Sequence, residues 1–366
     1  MKATNRSLEG LRGAAALLVM FFHIGLLSPF SAIIRNGYLA VDLFFVLSGF
    51  VICSAYADRL ETGLDVWRFI LRRSGRLWPL HIVTATLACA FVGMIFALGG
   101  RHPHVPTGGE MIAIVTMTQG LAFPDRDVGN LVAWSTSDEF YVYLLFAAIC
   151  LCVRRWRRIT FAVAAAAGLA IVLYADARTC VSIDRCMDLH SSFGWARCLA
   201  GFFVGALLAP SRTRLQSFGT PAVQIAMAIG SLAFVASTSE FPLAAFAAPL
   251  VFAALIASLI ADCGPLATIL QTRPMQYLGK ISYALYLGHG VVVLPFAGWL
   301  NQSKYPIGYQ LAAIAVLLSV SFALAHILHR RIEVPCRDRV YAWSDSRRNR
   351  DRTRPSRGFP EDRPSS

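Results

Sequence analysis

Apolar positions gather along this chain in runs of helical length, separated by short polar and basic stretches. A bilayer core needs about 20 mostly apolar residues in a helix. The cleanest runs are 241–260 (FPLAAFAAPLVFAALIASLI) and 309–328 (YQLAAIAVLLSVSFALAHIL), neither with a charge. Interrupted runs at 8–28, 38–57, 80–98, 132–153, 160–176, 193–209, 221–237 and 277–299 bring the predicted number of spans to ten. The stretch 110–123 is apolar but short, and is expected to be re-entrant or interfacial. The pattern predicts an all-α, polytopic membrane protein. No secretory signal is evident, because the first apolar run carries Glu9, Arg12 and His23 and nothing in it resembles a cleavage site.

Composition agrees. Of 366 residues 56% are apolar and 15% charged, against roughly a quarter charged in soluble domains. A soluble enzyme of ordinary composition and a disordered chain are both excluded. The 34 Lys and Arg outnumber the 21 Asp and Glu, for a net charge of +13. The apolar fraction argues against reading that excess as a nucleic-acid footprint. With the N-terminus inside, the predicted outer loops hold only Arg35, Arg101, Arg126, Arg178, Arg185 and Lys304. The other basic residues cluster at 59–76, 154–158, 212–214 and beyond 330. That is the positive-inside pattern, with both termini cytoplasmic. The sequence divides into a membrane domain, 1–343, and a basic tail, 344–366, expected to be disordered. The nine cysteines are scattered, but Cys180 and Cys186 share a predicted outer loop, where a disulfide can form.

Ionisable groups inside spans are costly, so each is a candidate for function. Arg12 and His23 are 11 residues apart, which returns to within about 20° of the same helix face with a rise of about 16 Å. Asp42 lies in the second span. The fourth places Ser135, Glu139 and Tyr143 on one face, and the ninth places Ser282, Tyr286 and His289 on another. A lone intramembrane histidine is usually a hydrogen-bonded packing residue, but four spans bringing polar groups together point to a shared interior site. His326 and His329 offer two metal ligands at a helix end, without a convincing third, so no metal is expected.

These residues also carry a resemblance. SLEGLRGAAALLVMFFHIG holds an Arg-x10-His pair as Arg12 and His23. YLAVDLFFVLSGFVI holds Asp-x-Phe-Phe-x-x-Ser-Gly-Phe as Asp42 to Phe50. RFILRRSGRLWPLH supplies Arg72, Arg73, Arg76 and Pro79. WSTSDEFYVYLLF gives Trp134, Ser135, Ser137 and Glu139, and FGWARCLAGFFVGALLA gives Arg197. YLGKISYALYLGH gives Ser282, Tyr283 and His289, and RRIEVPCR gives Glu333 and Pro335. In this order, from about residue 5 to 340, the chain resembles the membrane-bound acyltransferase family 3, integral-membrane O-acyltransferases of extracytoplasmic glycans. Two departures stand out: Tyr143, not Tyr141, takes the matching tyrosine place, and Gly288 stands where an aromatic is common. Some members carry a hydrolase-like extracytoplasmic domain; here transfer is expected without a fused partner, or with a separate one.

The resemblance implies an acyltransferase of the bacterial inner membrane. It would move an acyl group, acetyl by default with succinyl left open, from acyl-coenzyme A to a glycan or lipid-linked sugar hydroxyl. Its surroundings would be membrane lipid and polysaccharide-assembly proteins. Arg12, Arg72, Arg73 and Arg76 are the expected donor-phosphate ligands. His23 is the expected general base and Glu139 its partner or a second acid/base. Asp42, Ser137, Tyr143 and His289 are the expected acceptor-side residues. Direct transfer and an acyl-histidine intermediate both stay open. The rival reading is a transporter or flippase, but the two halves of the chain show no repeat.

Overall fold

The computed structural model describes residues 5–25, 31–97, 106–121, 128–190, 192–296 and 306–353, without the side chains at 95, 96 and 347–353. No strand occurs among the described residues. Eleven helices carry the architecture: α1 (Arg6–Ile24), α2 (Ala40–Tyr56), α3 (Gly63–Ala97), α4 (Trp134–Cys152), α5 (Arg157–Asp176), α6 (Gly194–Leu208), α7 (Pro221–Ser237), α8 (Ala248–Ser258), α9 (Arg273–Val292), α10 (Ile307–Leu328) and α11 (Val334–Thr353). Seven segments among the described residues are long and apolar enough to cross a membrane, those of α1 to α6 and of α10. Helices α7 and α8 are apolar but shorter. Helix α9 has the length, but polar residues interrupt it. The segment near 110 forms a nine-residue helix, Gly108–Thr116, hydrogen-bonded to α3 through Trp78 Nε1 and the Val115 carbonyl at 2.8 Å. Arg101, Arg126 and Lys304, assigned above to outer loops, lie outside the described residues.

Two helix pairs frame the interior, α1 with α9 and α2 with α6. Both approach closely at small residues. A methyl at Gly49 would lie 1.8 Å from the Phe202 carbonyl oxygen, and one at Gly13 would lie 2.7 Å from the Gly279 nitrogen. Small residues let helix backbones meet where the lipid tails are as apolar as the side chains, so van der Waals fit supplies the attraction. Each pair runs parallel. His23 meets His289 where Glu9 meets Gly279, and Asp42 meets Arg197 where Gly49 meets Phe202.

Two segments are helical further than the apolar pattern alone shows. The arginine-rich stretch 59–76 is continuous with the third span. From Gly63 it belongs to one 35-residue helix that continues through Pro79 to Ala97. Thr62 and Asp65 cap its start reciprocally. At 1.5 Å per residue such a helix is about 52 Å long, well beyond the ~30 Å hydrocarbon core, so one end must project. The described part of the tail, to residue 353, is helical as well. After a π-helical turn, His329–Glu333, α11 runs to Thr353 and packs back on α3. Ser344 is buried, and Asp345 pairs with Arg72 at 2.5 Å. A charged, apolar-poor sequence reads as disordered until it has a partner, and the projecting end of α3 is that partner.

The loop after α5 is closed by a Cys180–Cys186 disulfide with Cα atoms 4.6 Å apart. Tyr38 donates from its hydroxyl to the Cys186 carbonyl at 2.9 Å, which ties this loop to the start of α2.

Candidate active site

Helices α1, α2, α3, α4 and α9 enclose one chamber of about 80 Å³. About 10–15 Å³ of such space holds one water molecule, so the chamber has room for several waters or a small acyl group. Its polar lining is Arg12, Ser48, Arg73, Arg76, Ser135, Thr136, Glu139, Tyr143, Ser282, Tyr283 and Tyr286. Helical spacing explains the selection. Ser135, Glu139 and Tyr143 recur every fourth residue of α4, Arg73 and Arg76 are three apart on α3, and Ser282 and Tyr286 are four apart on α9. Three guanidinium groups and one carboxylate line the chamber, with Glu9 acting on Arg12 and Glu333 on Arg76 from outside it.

Tyr143 donates to the Glu139 carboxylate and also meets the Ser48 hydroxyl at 2.8 Å, so Ser48 completes a chain across α2 and α4. Glu139 also interacts electrostatically with Arg12 and Arg76. Arg73 donates to the Tyr341 hydroxyl at 3.0 Å, so α11 covers this end of the chamber. At the other end, Ser135 and Tyr286 share a hydrogen bond of 2.7 Å, and the Tyr286 ring lies 5.7 Å from that of His289.

Beyond Tyr286 stands a histidine pair. His289 Nε2 lies 3.2 Å from His23 Nδ1. Each ring also places Nδ1 on the carbonyl one helical turn back, His23 on Val19 at 2.9 Å and His289 on Leu285 at 3.1 Å. A carbonyl only accepts, so those contacts put the proton on Nδ1 in both rings. His289 Nε2 is then the acceptor, and His23 shares its Nδ1 proton between that nitrogen and Val19. His23 Nε2 keeps its lone pair, the form a general base requires.

The structure separates the sequence candidates. Arg12, Arg73, Arg76, Glu139 and Tyr143 line the chamber; His23 and His289 form the pair beyond it. Glu139 bonds Tyr143, not His23. Arg72 is turned away, held by Asp345 and by Ser344 at 3.2 Å. It is only one residue, about 100° of helix, from Arg73. Asp42 is not open to an acceptor: both its oxygens take guanidinium bonds from Arg197, at 2.9 and 2.6 Å, with the two side chains 0% and 1% exposed. Ser137 is also committed, donating to the Met117 carbonyl and accepting from the Gly120 amide at 3.1 Å, which fixes the turn beside α4. Sequence reasoning passed over Ser48 and Asp138. Ser48 lies within a quoted motif and was available. Asp138, buried with neither oxygen hydrogen-bonded, had no signal beyond being acidic in a span.

A family model described as an acyltransferase domain matches residues 5–326. The chain belongs to that acyltransferase family. It is similar to the acyltransferase MdmB of Streptomyces mycarofaciens, at 28% identity over 90% of this chain and 91% of that protein. It is also similar to the putative membrane-bound transacylase BcsY of Komagataeibacter xylinus, at 26% identity over 90% and 83% of the two chains. The peptidoglycan O-acetyltransferase OatA of Listeria monocytogenes matches at 24% identity over 92% of this chain and 57% of its own length. No solved structure matches. Family membership makes the chain a multi-pass membrane acyltransferase, and the buried chamber with its histidine pair is this member's candidate site.

Proposed function

We propose that this acyltransferase moves an acyl group, acetyl by default, from acyl-coenzyme A to a hydroxyl of a cell-surface or lipid-linked glycan, in the bacterial inner membrane. Helices α1 to α10 all cross in this reading, with both termini cytoplasmic. The parallel α1/α9 and α2/α6 pairs support it.

The observation that carries the proposal is an arginine-lined chamber joined through Tyr286 to a histidine whose Nε2 is left free to accept a proton. The donor enters at the Arg73–Tyr341 end. Its uncharged arm threads the chamber so that the acyl end reaches past Tyr286 to His23, and its bulkier phosphates stay at the mouth, drawn by Arg12, Arg73 and Arg76. A sugar hydroxyl arrives at His23. His23 Nε2 takes the hydroxyl proton as the oxygen attacks the thioester carbonyl. The carbonyl π pair moves to oxygen to give the tetrahedral centre. When the tetrahedral centre collapses, the C–S bond breaks and the new C–O ester remains. The thiolate of coenzyme A takes the proton back from His23. Glu139 and Tyr143 hold the arginine cluster in place and keep the chamber's charge from repelling itself apart.

The test uses membranes with radiolabelled acetyl-coenzyme A and surface polysaccharide freed of its esters by mild alkali. A positioned base contributes roughly 10²–10⁴-fold, so His23→Ala should lower transfer by at least 100-fold while the protein still accumulates in the membrane. Full transfer by that variant would overturn the mechanism. Arg76→Ala should raise the donor KM, whereas Arg72→Ala, whose side chain points to Asp345, should leave it within twofold. The reverse ranking would refute the chamber as the donor site.

A further inference from the structure

The disulfide-closed loop between α5 and α6 stands at the His23 end of the site, where neither the chamber nor the histidine pair has used it. It is held at three independent points. The Cys180–Cys186 bridge closes it, Tyr38 holds the Cys186 carbonyl at 2.9 Å, and the Asp176 carboxylate accepts from the Met187 amide at 2.7 Å. Met187 is fully buried and adopts φ 69°, and Asp184 adopts φ 53°. Left-handed backbone at a bulky residue is uncommon and persists only where the surroundings hold it. The loop is therefore a rigid platform. Rigidly mounted loops are where binding residues concentrate.

On either side of the fixed Cys186–Met187 node, this platform presents Arg185 and Asp188. Their side chains are 43% and 27% exposed, and their charged atoms stand 3.8 Å apart, beyond hydrogen-bond length. Arg185 lies over the Phe22 ring at 5.4 Å, and Phe22 meets the His23 ring edge-on at 4.9 Å. Asp188 is close enough to act electrostatically on His23. A guanidinium fork, a carboxylate and an aromatic face thus converge on the base, at the end of the bundle opposite the arginine chamber. Donors, acceptors and an apolar ring face suit a neutral polyhydroxylated ring, whose hydroxyls both give and take hydrogen bonds and whose C–H face packs on an aromatic.

We propose that Arg185, Asp188 and Phe22, mounted on the disulfide-closed loop 180–190, form the acceptor subsite and bind a neutral sugar of the glycan. The inference rests on the transfer reaction proposed above and adds where its second substrate sits. Donor and acceptor would approach from opposite ends and meet at the His23–His289 pair. The loop then decides which glycan is acylated, while the chamber decides which acyl group is moved.

Initial rates in wild-type membranes, varied separately in acetyl-coenzyme A and in de-esterified polysaccharide, provide the test. Arg185→Ala and Asp188→Asn leave the disulfide and the buried residues intact. Each should raise the acceptor KM about tenfold, as expected for losing a hydrogen bond to a charged group. Donor KM should stay within twofold. Cys180→Ser/Cys186→Ser, with both thiols removed, should likewise raise the acceptor KM selectively. Unchanged acceptor KM in all three variants, with an active wild type, would overturn the subsite and leave the transferase proposal standing. A wild type that transfers nothing from acetyl-coenzyme A to the polysaccharide would overturn the transferase proposal, and this subsite with it. A rise in donor KM alone would place the loop on the donor path and refute the assignment.

Discussion

The Asp42–Arg197 pair gives the sharpest test, because it separates an architectural role for Asp42 from a substrate-binding one. The pair joins α2 to α6 with guanidinium bonds of 2.9 and 2.6 Å, and Arg197 also donates to the Tyr38 carbonyl at 2.9 Å. Both side chains are sealed from solvent, and the guanidinium lies 5.7 Å from the Trp134 ring. Removing one member leaves the other charged and buried, at a cost of about 3–5 kcal/mol. At about 1.4 kcal/mol per tenfold, Asp42→Leu or Arg197→Met alone should lower the folding equilibrium constant by more than two decades. The double variant Asp42→Leu/Arg197→Met removes both desolvation costs together. Replacing a whole buried pair with apolar groups is often neutral, so the double variant should be more stable than either single one. The coupling energy should then be about 3 kcal/mol or more. Unfolding by SDS in mixed micelles, followed by tryptophan fluorescence, measures all four corners of the cycle. Additive single effects would refute the pairing argument. So would an Asp42→Asn protein of wild-type stability with a raised acceptor KM, which would return Asp42 to the substrate.

Three further outcomes follow from the same geometry. If His289 fixes the His23 tautomer through its Nε2, His289→Ala should lower kcat by roughly tenfold or more with little change in donor KM. His289→Gln, which keeps an acceptor, should recover part of the loss; equal loss in the two variants would refute the positioning role. Gly49→Ala forces a methyl to within 1.8 Å of the Phe202 carbonyl. Separating α2 from α6 should cost roughly 1–3 kcal/mol in the same unfolding assay, and wild-type stability would show that the contact is not that close. At the chamber end of α1, burial pushes the Asp262 carboxyl up, but bonds from the Ser7 hydroxyl and amide, the Arg6 amide and Gln271 outweigh it and hold it below the usual 3.8. A depressed carboxylate adds stability above its unfolded value and loses it as pH falls through the folded one. Wild type should therefore lose stability below about pH 4 more steeply than Asp262→Asn; parallel profiles would contradict that anchoring.

What could be read in advance follows the range of the forces involved. The apolar runs are local and long, so they located the helices of the bundle, including the shorter α7 and α8. Helical periodicity is just as local. It placed Ser135, Glu139 and Tyr143 on one face, and all three line the chamber. It could not tell which face of α2 carries Asp42 toward Arg197, 155 residues away. Nor could it show that Ser137 meets Met117 and Gly120, which belong to another segment. At Arg72 and Arg73, one helical step apart, only the packing of α11 decides which of two adjacent arginines lines the chamber.

By itself, the sequence determined that this protein is an all-α membrane protein, where its helices lie, and which polar groups they must carry into the bilayer. Those properties depend on hydrophobicity and on the helical repeat, both fixed by neighbours along the chain. Tertiary structure alone decided which polar groups meet. It brought His23 to His289 across 266 residues, paired Asp42 with Arg197, covered one end of the chamber with α11, and set a disulfide-bound loop beside His23. Contacts between distant segments depend on helix rotation and close packing at small residues, and a linear pattern does not encode the partner.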